Sequence, residues 1–339
     1  MTKRILIVNV NWVGDVLFST PFIRAVREAN PGAYIACLIH PRCREVLEAN
    51  PRIDELIIYD EEGIHKSLIG KWRLIRQLRS KNFNTAFLLH RSFTKALIAY
   101  LAGIGERIGY PTKSRGGILT KAAEEPFEEQ HKVEYFLNIA RSAGIKAEDI
   151  SYEFFVRDAD RKFIRELLAK DGIGDKDFVA VLCPAGNWAP KRWPREKFAR
   201  LADELADRYG AKIVLSASGK DLPLVEDIKK VMAAAPVITA GRTDLLGLGA
   251  LLERADLVVA NDTGPMHIAV AVGAKTIALF GPTSPRITGP YGKGSYVVIS
   301  GNTACEVPCY NIACADNTCM AAIRVEDVLK EAEGMLARR

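Results

Sequence analysis

Short runs of β-branched and aliphatic residues alternate with longer helical patterns along the chain, and the whole alternation occurs twice. A strand that is followed by a helix and then by another strand is typical of βαβ units, which pair their strands in a parallel sheet. The chain has 339 residues, enough for two domains that each bury a core. We therefore predict an α/β protein of two successive doubly wound, Rossmann-like domains, because such crossovers are right-handed and their connections short.

The periodicity also predicts the individual elements. In the first half, strands are expected at 5–10, 34–39, 56–59 and 85–89, and helices at 19–30, 42–50, 67–80 and 94–102. In the second half, strands are expected at 178–182, 212–216, 237–239, 257–260, 275–280 and 296–299. The clearest helix of this half begins at Pro194 and ends near Gly210, since these residue types are favoured at those positions. A charged helix around 150–171 separates the two patterns, and we place the domains at 1–155 and 156–339.

Positive charge is concentrated in the first half. The chain carries 47 Lys and Arg against 41 Asp and Glu, a net charge of +6, but residues 63–123 contain 12 basic residues and a single acid, Glu106. Such a stretch favours a polyanion, which could be nucleic acid, an anionic lipid surface or a phosphorylated substrate. The alternative is a solvated face that the acidic segment 124–134 offsets. The composition, with 48% hydrophobic and 26% charged residues, excludes disordered and disulfide-dense proteins.

The amino-terminal residues could be taken for a signal peptide, since two cations precede an apolar run. Asn9, Asn11 and Asp15 interrupt that run, and no small-residue cleavage site follows. No apolar run approaches the roughly 18–20 residues that a membrane-spanning helix needs. These features predict a cytoplasmic protein that begins with its first strand.

The first loop that could carry functional residues is 11–15, after the first strand. Ligands of open α/β sheets bind beyond the carboxyl ends of the strands, so strand-to-helix loops are where chemistry is expected. The loop has one glycine, Gly14, where a dinucleotide fingerprint needs three. Its carboxylate, Asp15, is either a general base for a substrate hydroxyl or a favourable charge near the positive end of the first helix.

A second loop, 261–267, precedes a helix of the second half. Asp262 or Thr263 can cap that helix, and Gly264 lets a ligand approach the backbone closely. The free amide groups of such a helix end bind phosphate, and His267 lies in the first turn beside them. An ordinary capped helix is the alternative.

A third loop, 183–194, carries two adjacent cations just before a helix. Lys191 and Arg192 are unfavourable beside the positive end of a helix unless an anion lies between them. The excess positive charge therefore favours a phosphate ligand at this loop. The alternative is that Lys191 and Arg192 are simply solvated.

Three further patterns raise the question of a metal. Two Asp-x-Asp pairs, at 158–160 and 175–177, could hold Mg²⁺, but a helix start and a turn before a strand favour structural roles for them. Near the carboxyl end, four cysteines lie within 15 residues and lack the Cys-x2-Cys pairs of most zinc sites. A metal site, disulfides and reduced thiols therefore all remain open for this cysteine cluster, which is formed by Cys305, Cys309, Cys314 and Cys319.

The order of several motifs along the chain is more specific than any one of them. The segments are Asn11-Trp12-Val13-Gly14-Asp15 with Thr20-Pro21, Leu101-Ala102-Gly103 with Arg107-Ile108-Gly109-Tyr110, Pro190-Lys191-Arg192-Trp193-Pro194, Asn261-Asp262-Thr263-Gly264-Pro265-Met266-His267, Leu279-Phe280-Gly281-Pro282-Thr283 and the cysteine cluster. In this order and spacing the chain resembles glycosyltransferase family 9, the ADP-heptose:lipopolysaccharide heptosyltransferases, and most of all the heptosyltransferase II type.

The resemblance implies a GT-B fold, in which two Rossmann-like domains face a central cleft. It implies an inverting transfer of heptose from ADP-heptose to the phosphorylated lipid A–core acceptor, without a metal or other cofactor. Asp15 would be the base and Lys191 would neutralise the departing ADP. The residues expected to bind the donor are Gly14, Lys191, Asp262, Thr263, Gly264 and His267, with the ribose near 218–221, and those expected to contact the acceptor are Arg91 and Lys95.

The same resemblance implies a cytoplasmic enzyme with peripheral contact to the inner membrane and no nucleic-acid partner. A GT-B relative with another nucleotide sugar, a nucleotide-sugar epimerase and a non-catalytic binding module are the alternatives. No motif identifies the sugar or nucleotide of the donor, the core sugar that accepts the heptose, or the oligomeric state.

Overall fold

A computed structural model describes residues 2–126, 129–301, 303–309 and 311–337. The chain divides into two compact units, Met1–Phe154 and Phe155–Arg339. Phe127 and Glu128 of the acidic segment, and Tyr310 within the cysteine cluster, lie outside the described residues.

The first unit alternates strands and helices as the periodicity predicts. Its strands are β1 (Arg4–Val8), β2 (Tyr34–Ile39), β3 (Glu55–Ile58), β4 (Thr85–Leu88), β5 (Glu106–Gly109) and β6 (Lys121–Ala122). Its helices are α1 (Val13–Phe18), α2 (Thr20–Ala29), α3 (Arg44–Leu47), α4 (Leu68–Ser80), α5 (Phe93–Leu101) and α6 (Lys132–Ser142).

In the described residues of this unit, the strands form one parallel sheet in the order β3-β2-β1-β4-β5-β6. Ile5 of the central strand pairs with Ile35 on one side and with Thr85 on the other. Helices cover both faces of such a sheet, which is why β1 is apolar at every position from Ile5 to Val8. This strand order is that of a doubly wound sheet, whose switch point lies between β1 and β4.

The second unit repeats the plan. Its strands are β7 (Val179–Cys183), β8 (Lys212–Leu215), β9 (Val237–Ile238), β10 (Leu257–Asn261), β11 (Thr276–Phe280) and β12 (Tyr296–Ser300). Its helices are α7 (Asp158–Lys170), α8 (Arg195–Tyr209), α9 (Leu222–Lys229), α10 (Leu245–Arg254), α11 (Gly264–Ala271), α12 (Pro285–Thr288), α13 (Thr318–Ala321) and α14 (Val325–Ala337).

The sheet of the second unit, over the described residues, has the order β12-β11-β10-β7-β8-β9 and is also parallel. The two central strands, β7 and β10, are completely buried, and β10 leads directly to α11. Helix α8 ends where the sequence predicts, because Gly210 adopts the left-handed conformation that closes a helix, with φ of 62°. The predicted fold class of two Rossmann-like α/β domains is thus confirmed.

Two parts of the first unit differ from the prediction. The predicted loop 11–15 is helical from Val13 onward, so that Asp15 lies in the first turn of α1. Pro21, in the first turn of α2, cannot donate a backbone hydrogen bond, which separates α1 from α2. Strands β5 and β6 were not expected, because β5 begins with two charged residues and β6 consists of two exposed residues at the edge of the sheet.

No helix within the described ranges is both long and apolar enough to cross a membrane.

Candidate active site

The amino end of α11 is open to a ligand. Thr263 is the residue before the helix, and its hydroxyl donates to the carbonyl oxygen of Asn261 at 3.1 Å. The prediction that Asp262 or Thr263 caps this helix is therefore wrong. The Thr263 side chain accepts no hydrogen bond from the first turn, and the Asp262 carboxylate accepts from Lys191 instead. The first amide groups of a helix have no partner within it, so an uncapped end next to Gly264 can receive an anion.

Asp262 lies at the centre of a buried polar cluster. Its side chain is 4% exposed, and its Oδ2 atom is 2.6 Å from the Nζ atom of Lys191. The hydroxyl of Thr283 donates to the same Oδ2 atom at 2.6 Å, and Nε2 of His267 is 3.9 Å from Oδ1. The structure thus brings together three of the predicted donor-binding residues, Lys191, Asp262 and His267, and adds Thr283.

The two adjacent cations have carboxylates of the protein as partners. Lys191 pairs with Asp262, and Arg192 lies 3.4 Å from Asp221 while it also donates to the carbonyl oxygen of Gly186 at 2.9 Å. The inference that this loop needs an external anion to balance its charge is therefore corrected. Lys191 nevertheless keeps further donor capacity, because an ammonium group has three hydrogens and the Lys191 side chain is 19% exposed.

Asn261 fixes the loop that carries Lys191. Its amide nitrogen donates to the carbonyl oxygen of Pro184 at 2.8 Å, and its Oδ1 atom accepts from the backbone of Trp193 at 3.2 Å. The side chain of Trp193 is buried and donates to the carbonyl oxygen of Ile323. Asn261 and Thr283 are absent from the predicted site residues, although both belong to motifs that the sequence singles out. Asn261 ends the buried strand β10, and Thr283 follows the buried strand β11 by three residues; a polar side chain in such a position is the signal that could have identified them.

In the first unit, Asp15 is a partly buried carboxylate. Burial raises its pKa, and the positive charge of Lys132 acts in the opposite direction. Among the described residues, no side chain forms a hydrogen bond or an ion pair with this carboxylate. A carboxylate with a raised pKa and free oxygens can accept a proton from a substrate hydroxyl. Lys132, at the start of α6, was not predicted, because it is distant in sequence and α6 itself was not expected.

Lys95 is buried beside the loop that leads to α1. Its side chain is 4% exposed, and its Nζ atom donates to Oδ1 of Asn11 at 2.6 Å. Glu61 is 3.7 Å away, and the ring of Tyr59 has its centre 5.6 Å from Nζ. Burial lowers the pKa of Lys95 to about 8. Arg91, the other predicted acceptor contact, is exposed and pairs with Glu125 at 3.0 Å.

A second member of the basic stretch 63–123 is also buried. Arg115 is inaccessible and donates to the backbone carbonyl oxygens of Tyr110, His90 and Leu88, which follow or end strands of the sheet. Its role is therefore to hold these loops, so the surface charge of the stretch is smaller than the count of residues suggests.

The two Asp-x-Asp pairs have structural contacts, and the cysteines, all within the described residues, form no disulfide. Asp160 binds Arg157 at 2.7 Å, and Asp177 accepts from the backbone of Gly174, so the structural interpretation of both Asp-x-Asp pairs agrees with their contacts. All seven cysteines are free thiols. Over the described residues, no group of three or more His, Cys, Asp or Glu side chains could hold a metal ion.

Two parallel Rossmann-like sheets in one chain, with a helix amino end that no described side chain caps at the end of a central strand, are typical of enzymes with the GT-B fold. The model of glycosyltransferase family 9 (heptosyltransferase) matches residues 71–319, and the chain belongs to this family. Membership favours the transferase over the epimerase and the non-catalytic binding module.

The relatives agree with this assignment. Lipopolysaccharide heptosyltransferase 2 of Escherichia coli K12 is 29% identical over 308 residues, which is 87% of each chain. A family 9 glycosyltransferase structure from Veillonella parvula superposes with a TM-score of 0.91 at 28% identity, over 99% of this chain and 98% of that one. The structure of the E. coli ADP-heptose lps heptosyltransferase II gives a TM-score of 0.82 at 26% identity, over 99% of both chains.

Proposed function

We propose that this enzyme transfers heptose from ADP-heptose to the phosphorylated inner core of lipopolysaccharide, with inversion at the anomeric carbon. The observation that carries the proposal is the match to family 9 over 71–319, supported by a relative named lipopolysaccharide heptosyltransferase 2 over 87% of both chains. The name of the E. coli structure supports ADP-heptose as the donor.

The donor is assigned to the second domain, 156–339. The diphosphate lies on the open amino end of α11, next to Thr263 and Gly264, where the helix dipole and the free amide groups favour negative charge. Lys191 donates to Oδ2 and to the backbone carbonyl oxygen of Asp262, and it contacts the diphosphate with its remaining hydrogen. The loop that contains Asp221 faces the ribose. Gly14 is assigned to the donor only through the family resemblance.

The reaction is a single displacement at the anomeric carbon. The acceptor hydroxyl attacks that carbon, a new carbon–oxygen bond forms, and the bond to the diphosphate breaks, so that ADP leaves with the electron pair. Asp15 takes the proton of the attacking hydroxyl. Lys191 stabilises the charge that develops on the leaving phosphate, and this stabilisation needs no metal ion.

The acceptor is assigned to the first domain, 1–155, which carries the basic stretch 63–123. Lys95 and Arg91 are assigned to its phosphates. Lys95 is held by Asn11 and lies 3.7 Å from Glu61, and Arg91 pairs with Glu125, so that each exchanges a carboxylate partner for a phosphate. On the family resemblance, the enzyme is placed in the cytoplasm, with peripheral contact to the inner membrane that holds the acceptor and no nucleic-acid partner.

The donor assignment is tested by thermal shift with ADP-heptose, UDP-sugars and GDP-sugars at equal concentrations. A ligand that binds only the folded state raises the melting temperature, and saturation at 100 times Kd adds about 2.7 kcal/mol. We expect the largest shift with ADP-heptose and a smaller one with ADP. A larger shift with a UDP- or GDP-sugar would assign the enzyme to a GT-B relative with another donor.

The pH dependence of kcat/KM for the acceptor is expected to be bell-shaped. Activity requires ionised Asp15, so it falls at low pH, and this fall occurs at higher pH than for an ordinary Asp because burial raises the Asp15 pKa. Activity also falls above about pH 8, because Lys95 then loses the charge that binds the acceptor phosphate. Lys95→Met should lower kcat/KM at neutral pH and abolish the fall of kcat/KM above about pH 8.

Lys121→Met, at an exposed lysine of the same stretch, is the control, and its kcat/KM should still fall above about pH 8.

A further inference from the structure

Helix α4 and the loop before it expose four large hydrophobic side chains within residues 64–72. The exposed fractions are 73% for Ile64, 85% for Leu68, 68% for Ile69 and 53% for Trp72. The other side of α4 is well packed, since Leu74, Ile75 and Leu78 belong to the core of the first unit. The exposed side chains therefore extend from a helix that is anchored in the fold.

The same outer face becomes basic toward the carboxyl end of α4. Leu68, Trp72 and Arg76 follow one another at intervals of four residues and so lie on one side of the helix. Lys66, Arg73, Arg76 and Arg79 are all exposed. In the described part of the chain, no salt bridge includes any of these four cations. We call these eight residues the α4 surface: Ile64, Lys66, Leu68, Ile69, Trp72, Arg73, Arg76 and Arg79.

The acids closest in sequence do not neutralise this charge. Glu61 contacts Asn11 and Lys95, and Glu62 pairs with Arg42 at 2.9 Å. Asp60 accepts from the backbone of Gly63. Between residues 63 and 105 the sequence contains no acid. The α4 surface thus combines uncompensated positive charge with an apolar tip.

An anionic bilayer fits both parts of this surface. Apolar side chains that include Trp enter the boundary between headgroups and acyl chains, and Arg side chains reach lipid phosphates from the same helix. A nucleic acid or a soluble polyanion matches the cations but offers nothing to Leu68 and Ile69. At 13 residues, α4 is about 20 Å long, too short to span the hydrocarbon core of roughly 30 Å, so it lies along the surface.

We propose that the α4 surface docks the first unit on an anionic phospholipid bilayer. Leu68, Ile69 and Trp72 enter the interface, and the three arginines contact lipid phosphates. This inference rests on the proposed function, which supplies a lipid acceptor held in a membrane. The exposure and charge of the α4 surface identify where the enzyme contacts that membrane. Binding to lipid is measured without either substrate, so that the docking and the reaction can fail separately.

The test is co-sedimentation with phosphatidylcholine vesicles that contain or lack phosphatidylglycerol. The wild type should bind the anionic vesicles and bind neutral ones far more weakly. The apolar variant Leu68→Ser/Ile69→Ser/Trp72→Ser should lose about tenfold or more in partitioning, because the inserted area is gone. The charge variant Arg73→Gln/Arg76→Gln/Arg79→Gln should lose roughly a hundredfold, since each cation near an anionic surface contributes about a factor of five.

Matched variants of the second unit control for general surface effects. Phe163→Ser/Val231→Ser/Ile312→Ser removes exposed hydrophobic side chains, and Lys162→Gln/Arg165→Gln/Lys330→Gln removes exposed cations. Both should bind like the wild type, and thermal melting verifies that every variant is folded. Tryptophan emission should shift to the blue on anionic vesicles, and Trp72→Phe should lose most of that shift.

Several outcomes would overturn the proposal. One is that the wild type fails to bind anionic vesicles, and another is that the apolar variant binds them as well as the wild type does. A third such outcome is that the control variants lose as much vesicle binding as the variants of the α4 surface. Loss in the charge variant alone would assign the surface to soluble polyanions instead. Absence of heptose transfer with intact vesicle binding would count only against the proposed function, whereas transfer to a soluble acceptor without vesicle binding would count only against the docking.

Discussion

Replacing Asp15 by Asn is expected to lower kcat by about 10²–10⁴-fold, the range for loss of a general base. The change removes the only group assigned to accept the acceptor proton, while the donor site of the second unit keeps all of its contacts. ADP affinity, measured by calorimetry, should therefore change less than twofold. Glu28→Gln, at an exposed carboxylate of α2, is the matched control and should retain full turnover. Near wild-type turnover of Asp15→Asn would remove Asp15 from the mechanism.

The same substitution is expected to increase the free energy of unfolding at neutral pH, because Asn carries no charge that burial disfavours. Burial raises the folded-state pKa of Asp15, so the ionised carboxylate costs stability above that pKa. The cost disappears as the pH falls below the unfolded-state value, where both states are protonated. The stability advantage of Asn should therefore shrink toward low pH, and an advantage that is independent of pH would contradict this explanation.

Lys191→Met is expected to lower kcat by about 10²–10³-fold, as for removal of one group that stabilises transition-state charge. It also leaves the carboxylate of Asp262 buried without its cation, which should cost about 2–3 kcal/mol of unfolding free energy. This cost is below that of a fully buried pair because Lys191 is partly exposed. ADP affinity should fall about tenfold or more, since hydrogen bonds to charged groups are strong.

The double variant Lys191→Met/Asp262→Asn separates stability from catalysis. Removal of both charges should restore most of the lost stability, because no unpaired carboxylate remains. Turnover should stay low, since the cation that faces the leaving group is still missing. Lys212→Met, at an exposed lysine of β8, is the matched control and should be unchanged in both measurements. Recovery of turnover in the double variant would mean that Lys191 acts only by balancing Asp262.

Local patterns were sufficient to predict the doubly wound fold class and the loops that follow β1, β7 and β10. The helix start at Gly264 follows from Gly-Pro after a buried apolar strand, and the end of α8 follows from Gly210. These signals act over a few residues and depend on backbone conformation, which the sequence encodes directly.

Long-range pairing could not be predicted in the same way. Lys191 and Asp262 are 71 positions apart, and only the parallel pairing of β7 with β10 brings their loops together. Lys95 was predicted only as an acceptor contact, and nothing in its local sequence indicates that its side chain is buried. Its position on the face of Ala96, Ile98 and Ala99 places it inside, where Asn11 and Glu61 compensate its charge.

The most direct test of the central claim is transfer itself, measured with ADP-heptose and a deacylated, phosphorylated inner-core acceptor in a buffer that contains EDTA. Mass spectrometry should show one heptose added per acceptor with an equal release of ADP, and NMR should show the opposite anomeric configuration in the product. Absence of transfer with ADP-heptose, retention of configuration, or a strict requirement for Mg²⁺ would contradict the account.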